Sequence, residues 1–199
     1  MLYLASRSPR RRALLRQLGR PFRVVRSAHR ETIRRNESPS ANAMRNAVGK
    51  ARCAKLPLRA SGIVIGADTF LYFQGRVIGK PSTMRAAFRL LKKLSGNSHW
   101  VYTGLCLLDP GTGRMRAAYE KTQVTFQPMT RGAIQRLFAR SSPLDKAGGY
   151  ALQACLPRRA RRRQADRGEL IARIAGSRSN VIGLPLELLR RELAAMKSY

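Results

Sequence analysis

Residues 64–70 read VIGADTF, and the fold turns on where that run belongs. Ile63, Val64 and Ile65 on one side, and Phe70, Leu71, Tyr72 and Phe73 on the other, have the β-branched and aromatic character of a buried strand. Asp68 stands in the middle of it. An ionised carboxylate in such surroundings is costly unless it is paired, hydrogen-bonded or bound to a metal. Asp68 is therefore either half of a structural pair or the centre of a site.

The continuation, TFLYFQGRVIGKP, reads as a hairpin turning near Gln74-Gly75. A two-residue turn pairs Thr69 with Lys80, and a three-residue turn puts Lys80 on the face of Asp68. Either register brings Lys80 near Asp68 as its basic companion. If Lys80, a metal and a bound anion compensate the charge, Asp68→Asn is expected to hold or raise stability.

Upstream, residues 2–5 form a short strand, and SRSPRRRALLRQLG reads as a loop and helix. Ser8 caps that helix, Pro9 suits its first turn, Ala13, Leu14, Leu15 and Leu18 form its apolar stripe, and Gly19 ends it. A second helix is expected over 40–55. Downstream, STMRAAFRLLKKLSG is an amphipathic helix with Met84, Phe88, Leu91 and Leu94 along one side. Two strands follow, HWVYTGLCLLD and AAYEKTQVTFQ, joined by the turn-rich PGTGR. A helix is expected over 130–140, a loop and short helix in SPLDKAGGYALQ, a strand in GELIARIAG and a last helix from Pro185. Helices and strands alternate while hairpins interrupt any strict βαβ order, so the expected class is α/β with a mixed sheet.

The 199 residues are 44% apolar, enough for one sizeable core in one or two lobes. No apolar run approaches the roughly 20 residues of a membrane span. Cys53, Cys106 and Cys155 are isolated, without C-x-x-C spacing, which argues against a disulfide framework or a thiolate zinc site and fits a reducing cytoplasm. His29 and His99 are too few for a histidine-based metal cluster. Any metal is expected to be held by oxygens, which points to Mg²⁺ or Mn²⁺. Forty basic residues face ten acidic ones, and a net charge of +30 favours non-specific binding of polyanions. The segment LPRRARRRQ, 156–164, is the one low-complexity stretch. Gln-Ala occurs on both sides of it, at 153–154 and 164–165, as an Arg-rich surface insertion near 154–164 would produce.

Ten carboxylates are few enough to sort singly. Asp109 sits in a turn, and Glu187 and Glu192 belong to a solvated face of the last helix. Asp166 and Glu169 border the Arg-rich segment, and Glu37 and Glu120 have structural readings. Glu31, Asp68 and Asp145 remain, each beside turn signals at an element's end. Ser6, Ser8 and the first amides of the helix at Pro9, with Arg10 and Arg11, favour a phosphate. In DKAGGY, Lys146 and the glycines either approach a ligand or cap a helix.

The stretches LASRSPRRRALLRQLG, GADT, GKP, LSGNSHWVYTG, SPLDKAGGYALQ and NVIGLPL, in that order, resemble the Maf family of nucleoside triphosphate pyrophosphatases, also called septum formation inhibitors. The resemblance covers nearly the whole chain. It implies a single domain over 1–199: a central, elongated mixed sheet flanked by helices, with two lobes around a cleft. It implies metal-dependent hydrolysis of a nucleoside triphosphate to the monophosphate and pyrophosphate, in a cytoplasmic homodimer. Asp68 matches the family's catalytic acid. Arg10, Thr69 and Gln153 match its specificity positions, and SPRR with ADT and a glutamine resembles the branch acting on dTTP and UTP. Ser8, Arg11, Glu31, Lys50, Lys80, Asp145 and Lys146 match its pocket positions, with Glu31, Asp68 and Asp145 as ligands of Mg²⁺ or Mn²⁺. Asp68 is left as metal ligand or general base. Two departures stand out: Arg30 replaces an acid before Glu31, and ACLPRRARRRQ follows Gln153. The alternative is a basic Maf-like binding protein that contacts nucleic acid or division partners with little catalysis.

Overall fold

The structure is a computed structural model that describes residues 1–144, 146–155 and 170–197, with the backbone but not the side chains of Gln153 and Lys197. Asp145 and the Arg-rich segment at 156–164 lie outside the described residues. The architecture is α/β, as expected: a mixed, open seven-stranded sheet flanked by helices, in the order β2-β1-β3-β5-β6-β7 with β4 paired to β3. The elements in chain order are β1 (Leu2–Leu4), α1 (Pro9–Arg16), β2 (Phe22–Val24), α2 (Pro39–Arg52), β3 (Ile63–Phe73), β4 (Arg76–Ile78), α3 (Met84–Leu94), β5 (Ser98–Leu108), β6 (Met115–Phe126), α4 (Arg131–Arg140), α5 (Leu152–Cys155), β7 (Ile171–Ala175), α6 (Arg178–Ile182) and α7 (Leu186–Lys197). β2, α6 and a single 3₁₀ turn at Ala147–Gly149 are too short to leave a periodic pattern.

The chain divides into two compact units: Met1–Thr69 with Tyr102–Lys121 and Ser177–Tyr199, and Phe70–Val101 with Thr122–Gly176. In the first, β1 lies parallel to both β2 and β3. Side chains alternate across these strands. Leu2, Leu4, Ile65, Ala67, Leu105 and Leu107 cluster with Leu14 and Leu15 of α1 and Leu188, Leu189 and Leu193 of α7. Tyr3, Val64 and Cys106 cluster instead with Ala47 and Ala51 of α2. That helix rides close on the sheet. A methyl on Gly66 would overlap the Ala47 carbonyl, and one on Gly104 would overlap the Ala43 backbone. Alanines and glycines thus bring α2 to backbone distance from β3.

In the second unit, β3 and β4 form a hairpin with Phe73 opposite Arg76. Gln74 and Gly75 both take positive φ, 49° and 75°, as a two-residue type I′ turn requires. The register that would carry Lys80 onto the face of Asp68 is not the one formed, and β4 ends at Ile78. On α3 the buried side is Ala87, Leu91 and Leu94, while Met84 is exposed where an apolar contact was expected. His99 is buried, stacked on Phe126, with Nε2 2.7 Å from the Tyr150 hydroxyl. Burial pushes its pKa down to about 4.

Leu170 N donates to Cys155 O at 3.0 Å. A four-residue turn makes the same hydrogen bond between its last and first residues. Deleting 157–168 leaves Leu156 and Glu169 as the two central residues of such a turn. The shortened chain is expected to fold with an equal or higher melting temperature, because closing a shorter loop costs less chain entropy. Thermal melting by circular dichroism checks this, and a variant that cannot fold would show the segment to be structural.

Candidate active site

β1 ends at Leu4, whose partner on β3 is Ile65. β3 runs on, so Asp68 lies three residues past the point where β1 stops pairing with it. Ligands of open α/β sheets bind outside the carboxyl ends of the parallel strands. The alternation that puts Val64 and Gly66 under α2 puts Asp68 there too, and it turns Thr69 to the face of α1.

Asp68 is 3% exposed, and its carboxylate is held at both oxygens. Oδ1 accepts from Lys50 Nζ at 2.6 Å, and Oδ2 accepts from Asn46 Nδ2 at 2.9 Å. Lys50 is itself buried, and its ammonium also lies 2.6 Å from Glu31 Oε1 and 3.1 Å from the Ala67 carbonyl. An ammonium has three hydrogens to donate, and here it meets three acceptors. Asn46 and Lys50 stand one turn apart on α2, so one helix face delivers both groups. The cation at Asp68 is Lys50, where the sequence suggested Lys80. Asn46 was missed altogether. Its signal was present in SANAMRNAVGK: asparagines at 42 and 46 and a lysine at 50 make a polar stripe of period four along an otherwise small and apolar helix face.

The face of α1 carries a second network. Arg11, half-buried, donates from Nε to Gly183 O at 2.7 Å, from Nη1 to Ser6 Oγ at 3.3 Å and from Nη2 to Thr69 Oγ1 at 3.0 Å. Burial lowers the Arg11 pKa, opposed by the carboxylates of Asp68 and Glu31. The Thr69 hydroxyl lies 3.0 Å from that of Thr103, which donates to Asn180 O at 3.2 Å. A carbonyl only accepts, so Thr103 spends its hydrogen there and receives the hydrogen of Thr69. Thr69 in turn receives that of Arg11. The hydroxyl chain has one direction, and Thr69 is left only acceptor capacity.

The anion site expected at the start of α1 is altered. Ser8 caps the helix by accepting from Arg11 N at 3.4 Å, and its own amide donates to Ser6 Oγ at 3.2 Å. Those amides are used internally. Arg10 is half-buried in the first turn. Lys80 and Lys146 belong to the second unit; Lys80 is exposed, and Lys146 is buried, donating to Ser142 O at 2.6 Å. Of the two acids expected on a solvated face of α7, Glu187 is exposed as expected and Glu192 is not. Glu192 is buried and accepts from Arg116 at 2.8 Å, and Glu187 accepts from the hydroxyls of Ser177 and Ser179.

Among the described residues there is no group of three or more histidines, cysteines and acids gathered as metal ligands. Glu31 and Asp68 are nevertheless drawn together on one ammonium, and two hard oxygen donors at one point fit Mg²⁺ or Mn²⁺.

The sequence model of the family described as Maf-like protein matches residues 1–196. This chain belongs to that family. It is 40% identical over 194 residues to a dTTP/UTP pyrophosphatase of Moorella thermoacetica, covering 97% of this chain and 93% of the relative. It is 38% identical over 188 residues to a dTTP/UTP pyrophosphatase of Pelotomaculum thermopropionicum, covering 94% and 92%. A Bacillus cereus protein of the same name is 38% identical over 193 residues, covering 96% and 88%.

The Lys50–Asp68 contact reverses the stability expected for neutralising Asp68, because the carboxylate already has its cation. Removing one member of a buried pair leaves the other charge uncompensated, at a cost of about 3–5 kcal/mol. Lys50→Met is expected to lose that amount in denaturant unfolding, with Asp68→Asn destabilising as well. A Lys50→Met protein as stable as the parent would contradict the pairing.

Proposed function

We propose that this chain hydrolyses dTTP and UTP to the monophosphate and pyrophosphate at the Glu31–Lys50–Asp68 centre. The observation that carries the reading is the Asp68 carboxylate, enclosed beyond the end of β1 and held by Lys50 and Asn46. The printed activity of the Moorella, Pelotomaculum and Bacillus relatives supports the substrate class.

Water attacks the α-phosphorus, the bond to the pyrophosphate oxygen breaks, and the proton of the attacking water needs an acceptor. Asp68 is positioned for that role because its two anchoring bonds leave each carboxylate oxygen a further lone pair. Glu31, Asp68 and Asp145 would hold a divalent cation, Mg²⁺ or Mn²⁺, which when bound supplies neutralisation of the charge developing on the phosphate. Lys50 keeps the two carboxylates from repelling each other. We assign the triphosphate to Ser8, Arg10, Arg11, Lys80 and Lys146, and the pyrimidine to Arg10, Thr69 and Gln153. A hydroxyl whose hydrogen is already committed, as that of Thr69 is, suits a base that presents an N–H. We read the two units as parts of one Maf-like domain in a cytoplasmic homodimer. Among the described residues no helix is long and apolar enough to cross a membrane.

The net charge of +30 favours a second reading, a basic protein that acts by binding nucleic acid. Pyrophosphate release from a panel of triphosphates with Mg²⁺, beside nucleic-acid binding across a salt series, decides between them. We expect turnover highest with dTTP and UTP, and nucleic-acid binding that ignores sequence and weakens steeply with salt. Folded Asp68→Asn protein is expected to lose at least about 10²-fold in turnover, the low end for a lost general base. No turnover, together with sequence-selective binding that survives high salt, would favour the second reading.

A further inference from the structure

Asn46 is fully enclosed, and an enclosed carboxamide needs partners for two donor hydrogens and an acceptor oxygen. It has them all. Nδ2 donates to Thr32 O at 2.9 Å and to Asp68 Oδ2 at 2.9 Å. Oδ1 accepts from Thr32 N at 3.2 Å and lies 3.1 Å from His29 Nε2. The amide cannot be turned over, since its oxygen would then face the Asp68 carboxylate and the Thr32 carbonyl. His29 Nε2 therefore carries the hydrogen and donates it. One side chain of α2 thus grips both backbone polar groups of Thr32, the ring of His29 and the Asp68 carboxylate. Glu31 lies between the two gripped residues.

Gly49 completes the arrangement. Glycine inside a helix is unfavourable relative to alanine. Here a methyl would overlap the His29 ring, so the ring rests directly on the helix backbone. The same segment is held at the far end of α2 by Ala28 N donating to Cys53 O at 3.0 Å. One turn before Asn46, the enclosed Asn42 donates to Arg34 O at 2.9 Å and accepts from Arg34 N at 2.7 Å. Asn42, Asn46 and Lys50 form a polar stripe that fastens the Glu31 segment along α2 and ends on Asp68.

We propose that Asn46, with the His29 ring seated on Gly49, is a positioning residue that holds Glu31 and Asp68 in register with each other. The chemistry it serves rests on the hydrolysis proposed above, whereas the clamp itself is a matter of geometry. Asn46 acts through Asp68 and Glu31, so its loss falls on kcat rather than KM.

Four variants test this: Asn46→Leu, Asn46→Asp, Gly49→Ala and the double variant His29→Ala with Gly49→Ala. Each is measured for kcat and KM on dTTP and for hydrogen exchange at the Thr32 amide. Asn46→Leu removes all four bonds. Exchange at Thr32 is expected to accelerate, with kcat falling about 10–10²-fold and KM unchanged, the scale of a small misplacement in an active site. Asn46→Asp keeps the acceptor for Thr32 but sets a carboxylate against Asp68, so exchange stays slow while kcat falls. Gly49→Ala displaces the ring, speeding exchange and lowering kcat. The double variant has no ring to displace and recovers part of both. Parental kcat in Asn46→Leu, or a double variant no better than Gly49→Ala alone, would overturn the proposal. If the parent hydrolyses no triphosphate, the functional reading fails, and exchange alone then decides the clamp: unchanged exchange in Asn46→Leu overturns it, and faster exchange supports it. Should Asn46→Leu fail to fold, the Gly49 pair and Asn46→Asp decide in the same way.

Discussion

A single buried ammonium, Lys50 Nζ, sets the terms for the rest of the first unit. It lies 2.6 Å from Asp68 Oδ1, 2.6 Å from Glu31 Oε1 and 3.1 Å from the Ala67 carbonyl. Two carboxylates brought this close would repel each other without a cation between them, and a buried lysine would be costly without its acceptors. The helix that carries Lys50 must then approach β3 closely. That requirement accounts for the small residues on both surfaces, Ala43 and Ala47 on α2 against Gly104 and Gly66 on the sheet. Side-chain chemistry at one end of the helix thus constrains residue size along its length.

The strand that presents Asp68 presents Thr69 to the opposite face, and two independent networks meet across one peptide bond. On the α2 side the charged Lys50 and Asp68 are enclosed, while Glu31 reaches the ammonium from an exposed position. On the α1 side, Arg11 fastens Ser6, Thr69 and Gly183 together, and the hydroxyls of Thr69 and Thr103 pass hydrogens in one direction to Asn180 O. The first network suits a reacting centre, because it fixes carboxylates. The second suits recognition, because it leaves one hydroxyl with defined acceptor capacity.

Much of this was legible in the sequence because it is local. Ser8 and Pro9 announce α1, Gln74-Gly75 announces the hairpin, and the apolar run around Asp68 announces β3. The six ordered motifs pointed to the family that the whole-chain match then showed. What stayed hidden depends on pairs far apart in sequence. The choice of Lys50 over Lys80 as partner of Asp68 follows from the packing of α2 and the two-residue turn, neither of which spacing alone decides. Asn46 reads as an ordinary polar helix residue until Thr32, His29 and Asp68 are brought around it. Glu192 reads as solvated until β6 supplies Arg116. β2 and α6 are too short for periodicity, and tertiary pairing alone makes them regular.

The central claim is that Lys50 and Asp68 act as one unit. A double-mutant cycle on Lys50→Met and Asp68→Asn, followed by equilibrium unfolding, measures that directly. If the two are coupled, the double variant should be more stable than the sum of the single losses predicts, by an interaction energy of about 0.5–3 kcal/mol. Single losses that add to within about 0.3–0.5 kcal/mol would contradict the account, because residues that do not share an interaction behave in that way.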